Sequence, residues 1–148
     1  MKYLSTRDKT LHLSAAEAIK MGLSRDGGLF TPERFPSLTE EEIRALCPMT
    51  YQQRAALVMG KFLDDFTAEE LESFAASAYS EEKFDTPAVA PLRQVGGSTW
   101  CLELWHGPTS AFKDMALQML PLLLSASLRK TGEDKTACIL VATSGDTG

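Results

Sequence analysis

Apolar residues in the first half of this chain recur at helical spacing, and four times the same local signal precedes them. Ser14-x-x-Glu17, Thr39-x-x-Glu42, Thr50-x-x-Gln53 and Thr67-x-x-Glu70 are capping boxes. In each, a hydroxyl accepts from an orphan N–H of the first turn, and the side chain three residues on returns the bond. The first box predicts a helix over about residues 15–21, stopped by Gly22, with Leu13 placed to staple onto Ala18. The second predicts a short helix ending before Pro48. The third carries Ala55, Val58, Met59, Phe62 and Leu63 toward a core, and the fourth sets Leu71, Phe74, Ala75 and Ala78 on one stripe. Tyr3 to Thr6 reads as a short strand, and Asp26-Gly27-Gly28 as a turn. Residues 1–80 are therefore expected to form a mainly helical lobe, followed by a polar linker over 80–87.

The pattern then changes period. Residues 89–95 and 99–104 flank Gly96-Gly97-Ser98, which predicts a hairpin whose first strand Pro91 confines to an edge. After Pro108, Thr109 or Ser110 is placed to cap a helix running to about Lys130, with Gly132 beyond it. Pro121 falls in its interior and predicts a kink or break between Leu117 and Pro121. Residues 136–143, an unbroken apolar run between threonines, read as a strand buried on both faces, as in parallel sheets. A loop rich in hydroxyls and glycine follows, where α/β folds bind ligands. The expected fold class is α/β. Residues 81–148 would be the first part of a parallel-sheet domain whose remaining strands lie outside the chain.

Composition narrows the function classes. The chain has 148 residues, 44% hydrophobic, with a net charge of −5. That size fits one domain with a core. The acidic balance argues against nucleic acid and anionic membranes as partners, while leaving room for a small anionic substrate. Cys47, Cys101 and Cys138 are odd in number, lack a Cys-x-x-Cys spacing and have only two histidines for company. They read as reduced core thiols, with no metal expected. No secretory leader is visible, and the longest apolar run is far too short to span a bilayer, so the expected location is cytoplasmic.

Two stretches carry candidate chemistry. In Trp105-His106-Gly107-Pro108-Thr109-Ser110-Ala111-Phe112-Lys113-Asp114, the lysine sits in or beside a first helical turn. The helix dipole there disfavours an ammonium by ~0.3–1 kcal/mol, too little to make a neutral amine without burial among Phe112, Trp105 and Met115. Read locally, Lys113 is either an amine suited to Schiff-base chemistry or a surface lysine paired with Asp114 or passing Phe112; the second arrangement is the commoner. Asp114 more naturally orients Lys113 or the loop than acts as a base. His106 is either a contact for phosphate or water, or a structural histidine hydrogen-bonded within the loop. The second stretch, Thr143-Ser144-Gly145-Asp146-Thr147-Gly148, offers hydroxyls and backbone N–H groups fit for a carboxylate or phosphate, or is an ordinary strand-to-helix turn. It is neither a Walker loop nor a nucleophile elbow.

Taken together, His106-Gly107-Pro108-Thr109-x-Ala111-Phe112-Lys113-Asp114 and Thr143-Ser144-Gly145-Asp146-Thr147-Gly148 resemble the threonine synthase family. So do the opening Tyr3-Leu4-Ser5-Thr6-Arg7 and Asp26-Gly27-Gly28-Leu29-Phe30-x-Pro32-Glu33. The resemblance runs the length of the chain and implies a pyridoxal-phosphate enzyme of the tryptophan-synthase β-like fold (fold type II), truncated to its N-terminal portion. It implies a lyase converting O-phospho-L-homoserine and water to L-threonine and phosphate through a pyridoxal 5′-phosphate Schiff base on Lys113. Carried over, Thr143, Ser144, Gly145 and Thr147 would bind the substrate carboxylate, with His106 also on the substrate side. Asp146 would lie by the cofactor's ring oxygen, and Phe112 and Trp105 would line the ring or only the core. Relatives carry Asn where this chain has Asp146, and an ionised Asp facing the cofactor's phenolate oxygen would repel it. No glycine-rich cradle for the cofactor phosphate and no partner for its pyridine nitrogen is evident in the chain, so the chain alone is expected to be inactive, and self-association through an uncovered strand is expected. The alternatives are an idle homologue that keeps the fold, and an unrelated phosphate-binding α/β domain.

Overall fold

All four capping boxes start helices. A computed structural model describes residues 1–145 of the chain. In it, reciprocal side-chain caps at Ser14, Thr39, Thr50 and Thr67 open α1 (Ala15–Met21), α2 (Glu40–Leu46), α3 (Tyr51–Gly60) and α4 (Ala68–Ala78). Gly22, at φ 71°, ends α1 in a conformation that side chains with a Cβ rarely adopt. Before and between these helices runs a small antiparallel sheet: β1 (Tyr3–Ser5) lies between β2 (His12–Leu13) and β3 (Phe30–Pro32). The turn into β3 is locked by Asp26, whose carboxylate accepts from Ser5 Oγ at 2.9 Å and from the Gly28 N–H at 2.8 Å. A Cβ on Gly28 would stand 2.2 Å from Ser5 Oγ, so only glycine fits there. Residues 1–80 are thus mainly helical, with a small sheet built on the strand read at Tyr3 to Thr6.

The core is built from small residues at close approach. α1 buries Ala15, Ala16 and Ala18 and packs on the later helix α6 (Leu120–Lys130), which buries Ala126 and Ser127. α4 sends in Leu71, Ala75 and Ala78, the stripe read from the sequence, with Phe74 packed beside them. α3 differs from expectation: Ala56 is its one buried residue, Val58 faces outward, and Phe62 and Leu63 reach the core from beyond the helix end. The segment 80–87 is not a bare linker. Phe84 is 2% exposed and stacks edge-on against Tyr79 at 5.9 Å, so an aromatic anchor inside a polar stretch ties it down. One hydrophobic cluster accordingly draws on both sides of residue 80, from Ala15 to Ala126.

The hairpin forms as β4 (Leu92–Gly96) and β5 (Thr99–Leu102), antiparallel, with a register shift near Gly96. It is shorter than expected at its open end, where β4 starts at Leu92 and β5 stops at Leu102. Pro91 has no N–H to give a ladder, and Val89 turns into the core at φ 58°. The lysine helix breaks where Pro121 required. α5 (Asp114–Leu117) stops after one turn, and α6 restarts with Pro121 in its first turn, where a missing N–H costs nothing. α6 ends at Lys130, as read.

The parallel-sheet expectation is not met among the described residues. Both sheets are antiparallel, and 136–143 forms no strand, with Ile139 66%, Leu140 91% and Val141 57% exposed. A strand buried on both faces needs neighbours for its backbone groups and its side chains, and none lies beside it here. The cysteines are free as expected, but Cys47 and Cys138 are exposed rather than in the core.

Candidate functional site

The loop between β5 and α5 is closed from within by one buried carboxylate. Asp114, 1% exposed, accepts from the Thr109 N–H at 2.8 Å and from Thr109 Oγ1 at 2.9 Å. The cap therefore runs opposite to the expectation. Neither Thr109 nor Ser110 caps α5; the first residue of the helix reaches back to hold the loop, while Ser110 sits at φ 56°. Gly107 packs so tightly on Asp114 that a Cβ there would meet its side chain at 2.6 Å. The orienting role read for Asp114 is the one seen. Lys113 takes the N-cap position with no side-chain cap bond. α5 is a single turn, so its dipole is weak.

Lys113 lies half-buried on the wall of a cleft of 1360 Å³ between α3, the hairpin and α5. Its Nζ stands 4.8 Å from the centre of the Phe112 ring. Met59, Tyr79, Leu104, Phe112 and Met115 are among the largely apolar lining. Tyr79 braces the wall: its hydroxyl donates to the Met115 carbonyl at 2.8 Å, and burial pushes the phenol up to about 12. The apolar shell expected around the lysine is open, since Phe112 is 61% and Trp105 49% exposed.

His106 does not line this cleft. Its Nδ1 lies 2.5 Å from Asp85 Oδ1 and its Nε2 2.9 Å from Glu103 Oε2, while the far oxygen of Glu103 pairs with Arg93 Nε at 3.2 Å. The hydrogen bond to Glu103, then that to Asp85, raises the imidazole above its ordinary value. Both ring nitrogens are engaged by carboxylates. Asp85, Glu103 and Arg93 escaped the sequence reading because they converge from three separate segments; only the three-residue spacing of Glu103 and His106 hinted at contact. Thr143, Ser144 and Gly145 are exposed and do not line the cleft; the Gly145 N–H bonds Thr143 Oγ1 at 3.1 Å. Asp146 and Thr147 lie outside the described residues. The structure thus brings Lys113 and Phe112 together on one wall, with His106 outside the cleft between Asp85 and Glu103.

Comparison with known proteins settles the family. Residues 2–79, more than half the chain, match the model described as threonine synthase N terminus. This chain belongs to the threonine synthase family. It is 44% identical, over its whole length, to the threonine synthase of Pseudomonas aeruginosa, of which it covers 31%. Among solved structures it matches a pyridoxal-phosphate-bound threonine synthase from Brucella melitensis with a TM-score of 0.82 and 40% identity, over 89% of this chain and 28% of that one. The Escherichia coli threonine synthase gives 0.81 and 34%, over 99% and 32%. The fold is therefore that of the N-terminal part of these enzymes, and the chain spans about a third of the length of the relatives it matches.

Proposed function

We propose that this chain is the lysine-bearing N-terminal portion of a threonine synthase, which converts O-phospho-L-homoserine and water to L-threonine and phosphate. The supporting observation is Lys113 itself: a primary amine at a helix start, half-buried on an apolar cleft, its loop locked by Asp114, in a family with a pyridoxal-phosphate-bound member. These residues fit that cofactor, with an amine to hold its aldehyde carbon and the Phe112 ring beside it. When bound, pyridoxal 5′-phosphate supplies an electron sink for charge developing on the substrate carbons.

The chain's own residues then divide the work. Lys113 would hold the cofactor and, with its amine free, would take up and return protons at the substrate's Cα and Cβ. Phosphate would leave from Cγ, Cγ would then take a proton to become the methyl group, and water would give its hydroxyl to Cβ and its proton to the base. By likeness to the family's motif, Thr143, Ser144, Gly145 and Thr147 would bind the substrate carboxylate, and Asp146 would serve the cofactor ring. With both nitrogens of His106 already held by carboxylates, we assign it to fastening the loop rather than to the substrate. Domain boundaries near residue 80 belong to the same proposal.

Borohydride trapping tests it. The chain, beside the full product of its reading frame if that continues past Gly148, is incubated with pyridoxal phosphate, reduced, and the modified lysine mapped by mass spectrometry. The expected result is selective modification of Lys113 in the longer product. Indiscriminate labelling of that product overturns the reading and favours a phosphate-binding or idle homologue. By itself the 148-residue chain is expected to release no phosphate from phosphohomoserine; measurable release would show that it holds a complete site.

A further inference from the structure

His106 sits where three segments meet, and its two nitrogens make opposite demands on its protonation. Asp85 comes from the segment after α4, Glu103 from the residue just past β5, and Arg93, one step out, from β4. These are the charged groups that face the imidazole, and Trp105 stacks on it at 5.6 Å and 28°. Each ionised carboxylate only accepts hydrogen bonds. An imidazolium donates from both nitrogens; a neutral imidazole donates from one and presents a lone pair at the other. The bracket in the structure is therefore complete only for the cation. In the neutral form one carboxylate oxygen would face a lone pair at hydrogen-bond distance.

We propose that His106 is a positioning residue for Lys113: as an imidazolium it pins the intervening loop to both the segment after α4 and the residue just past β5, and deprotonation releases the pin to Asp85. Asp85 is the arm that yields because its side chain is 72% exposed and water can take its place, whereas Glu103 is 11% exposed and stays held by Arg93. The release reaches Lys113 through short, closed links. The next residue, Gly107, rests against Asp114, and Asp114 holds Thr109 and adjoins Lys113. The Asp85 N–H donates to the His106 carbonyl at 3.1 Å, so the backbone stays tethered and the motion is confined to the loop. Because the folded imidazole is raised, the bracket's contribution to stability is fully present below the ordinary histidine value and is lost as pH rises through the raised one. The consequence for Lys113 rests on its being the reacting amine; the pin itself does not.

The test therefore needs no cofactor. Histidine side-chain and backbone amide resonances of the chain are followed by NMR against pH, with a His12→Asn variant to assign the second histidine. In a Trp100→Phe background, Trp105 is the sole indole, and its emission reports the charge on the stacked ring. His106 is expected to titrate above the ordinary value, with the amides of Gly107, Thr109 and Lys113 and the Trp105 emission sharing its midpoint. Asp85→Asn, an exposed change that leaves the fold intact, lowers that midpoint. An ordinary midpoint unmoved by Asp85→Asn overturns the bracket. Loop amides that stay still while His106 titrates overturn its positioning role. Selective trapping at Lys113 is a separate measurement, so its failure would remove the enzymatic reading and leave the pin standing.

Discussion

At the residue scale, Asp114 decides whether the loop before α5 has a fixed shape. Its two oxygens accept from the Thr109 N–H and hydroxyl while almost wholly buried. Asp114→Ala strands both donors and is expected to cost ~1–3 kcal/mol, read from the urea midpoint. Asp114→Asn keeps one acceptor and recovers part of the loss. A change below about 0.5 kcal/mol, the size usual for a surface substitution, would contradict the lock. That Asp114 orients the loop was legible in the sequence, because partners five residues apart are local. The direction of the bond was not: a threonine before an apolar run reads as a cap whether it gives or takes. Around His106 only Glu103, three residues away, left a trace in the sequence; Asp85 and Arg93 come to that cluster only through folding.

At the element scale, the starts of α1 to α4 were legible because each is written in four consecutive positions, whereas α5, with no such box, starts at Asp114, beyond the cap read at Thr109 or Ser110. What a start is worth depends on what the helix then buries. α4 anchors Leu71, Ala75 and Ala78, whereas α2 buries nothing. Thr67→Ala is accordingly expected to lower global stability by about 1 kcal/mol. Thr39→Ala should fray α2, visible as faster amide exchange there, while moving the global midpoint by less than half as much. Equal losses from the two substitutions would mean that α2 is coupled to the core in a way its exposure does not show. Residues 136–143 mark the opposite limit. A helix closes its own hydrogen bonds, but a strand exists only beside another strand, so an apolar run announces the tendency and not the outcome.

At the scale of the whole molecule, apolar surface is unevenly covered. Leu92 pairs across the hairpin with Leu102, and Gln94 with Trp100, so Leu92, Leu102 and Trp100 share one face; they are 63%, 51% and 56% exposed. With Ile139, Leu140 and Val141 also outside the core, self-association is expected. Sedimentation velocity should show species that grow with concentration and diminish on Trp100→Lys. A single monomeric boundary at every concentration would sink the idea. The four capping boxes carry a consequence in time as well as in space. Each helix start needs only the residues of its own first turn, and the three-stranded sheet joins segments within the first thirty-two residues. As the chain leaves the ribosome, α1 to α4 can begin to form in the order they emerge. α6, whose Ala126 and Ser127 complete the core against α1, is the last helix to arrive, so the nascent chain gathers its helices first and is sealed by the segment that follows the lysine.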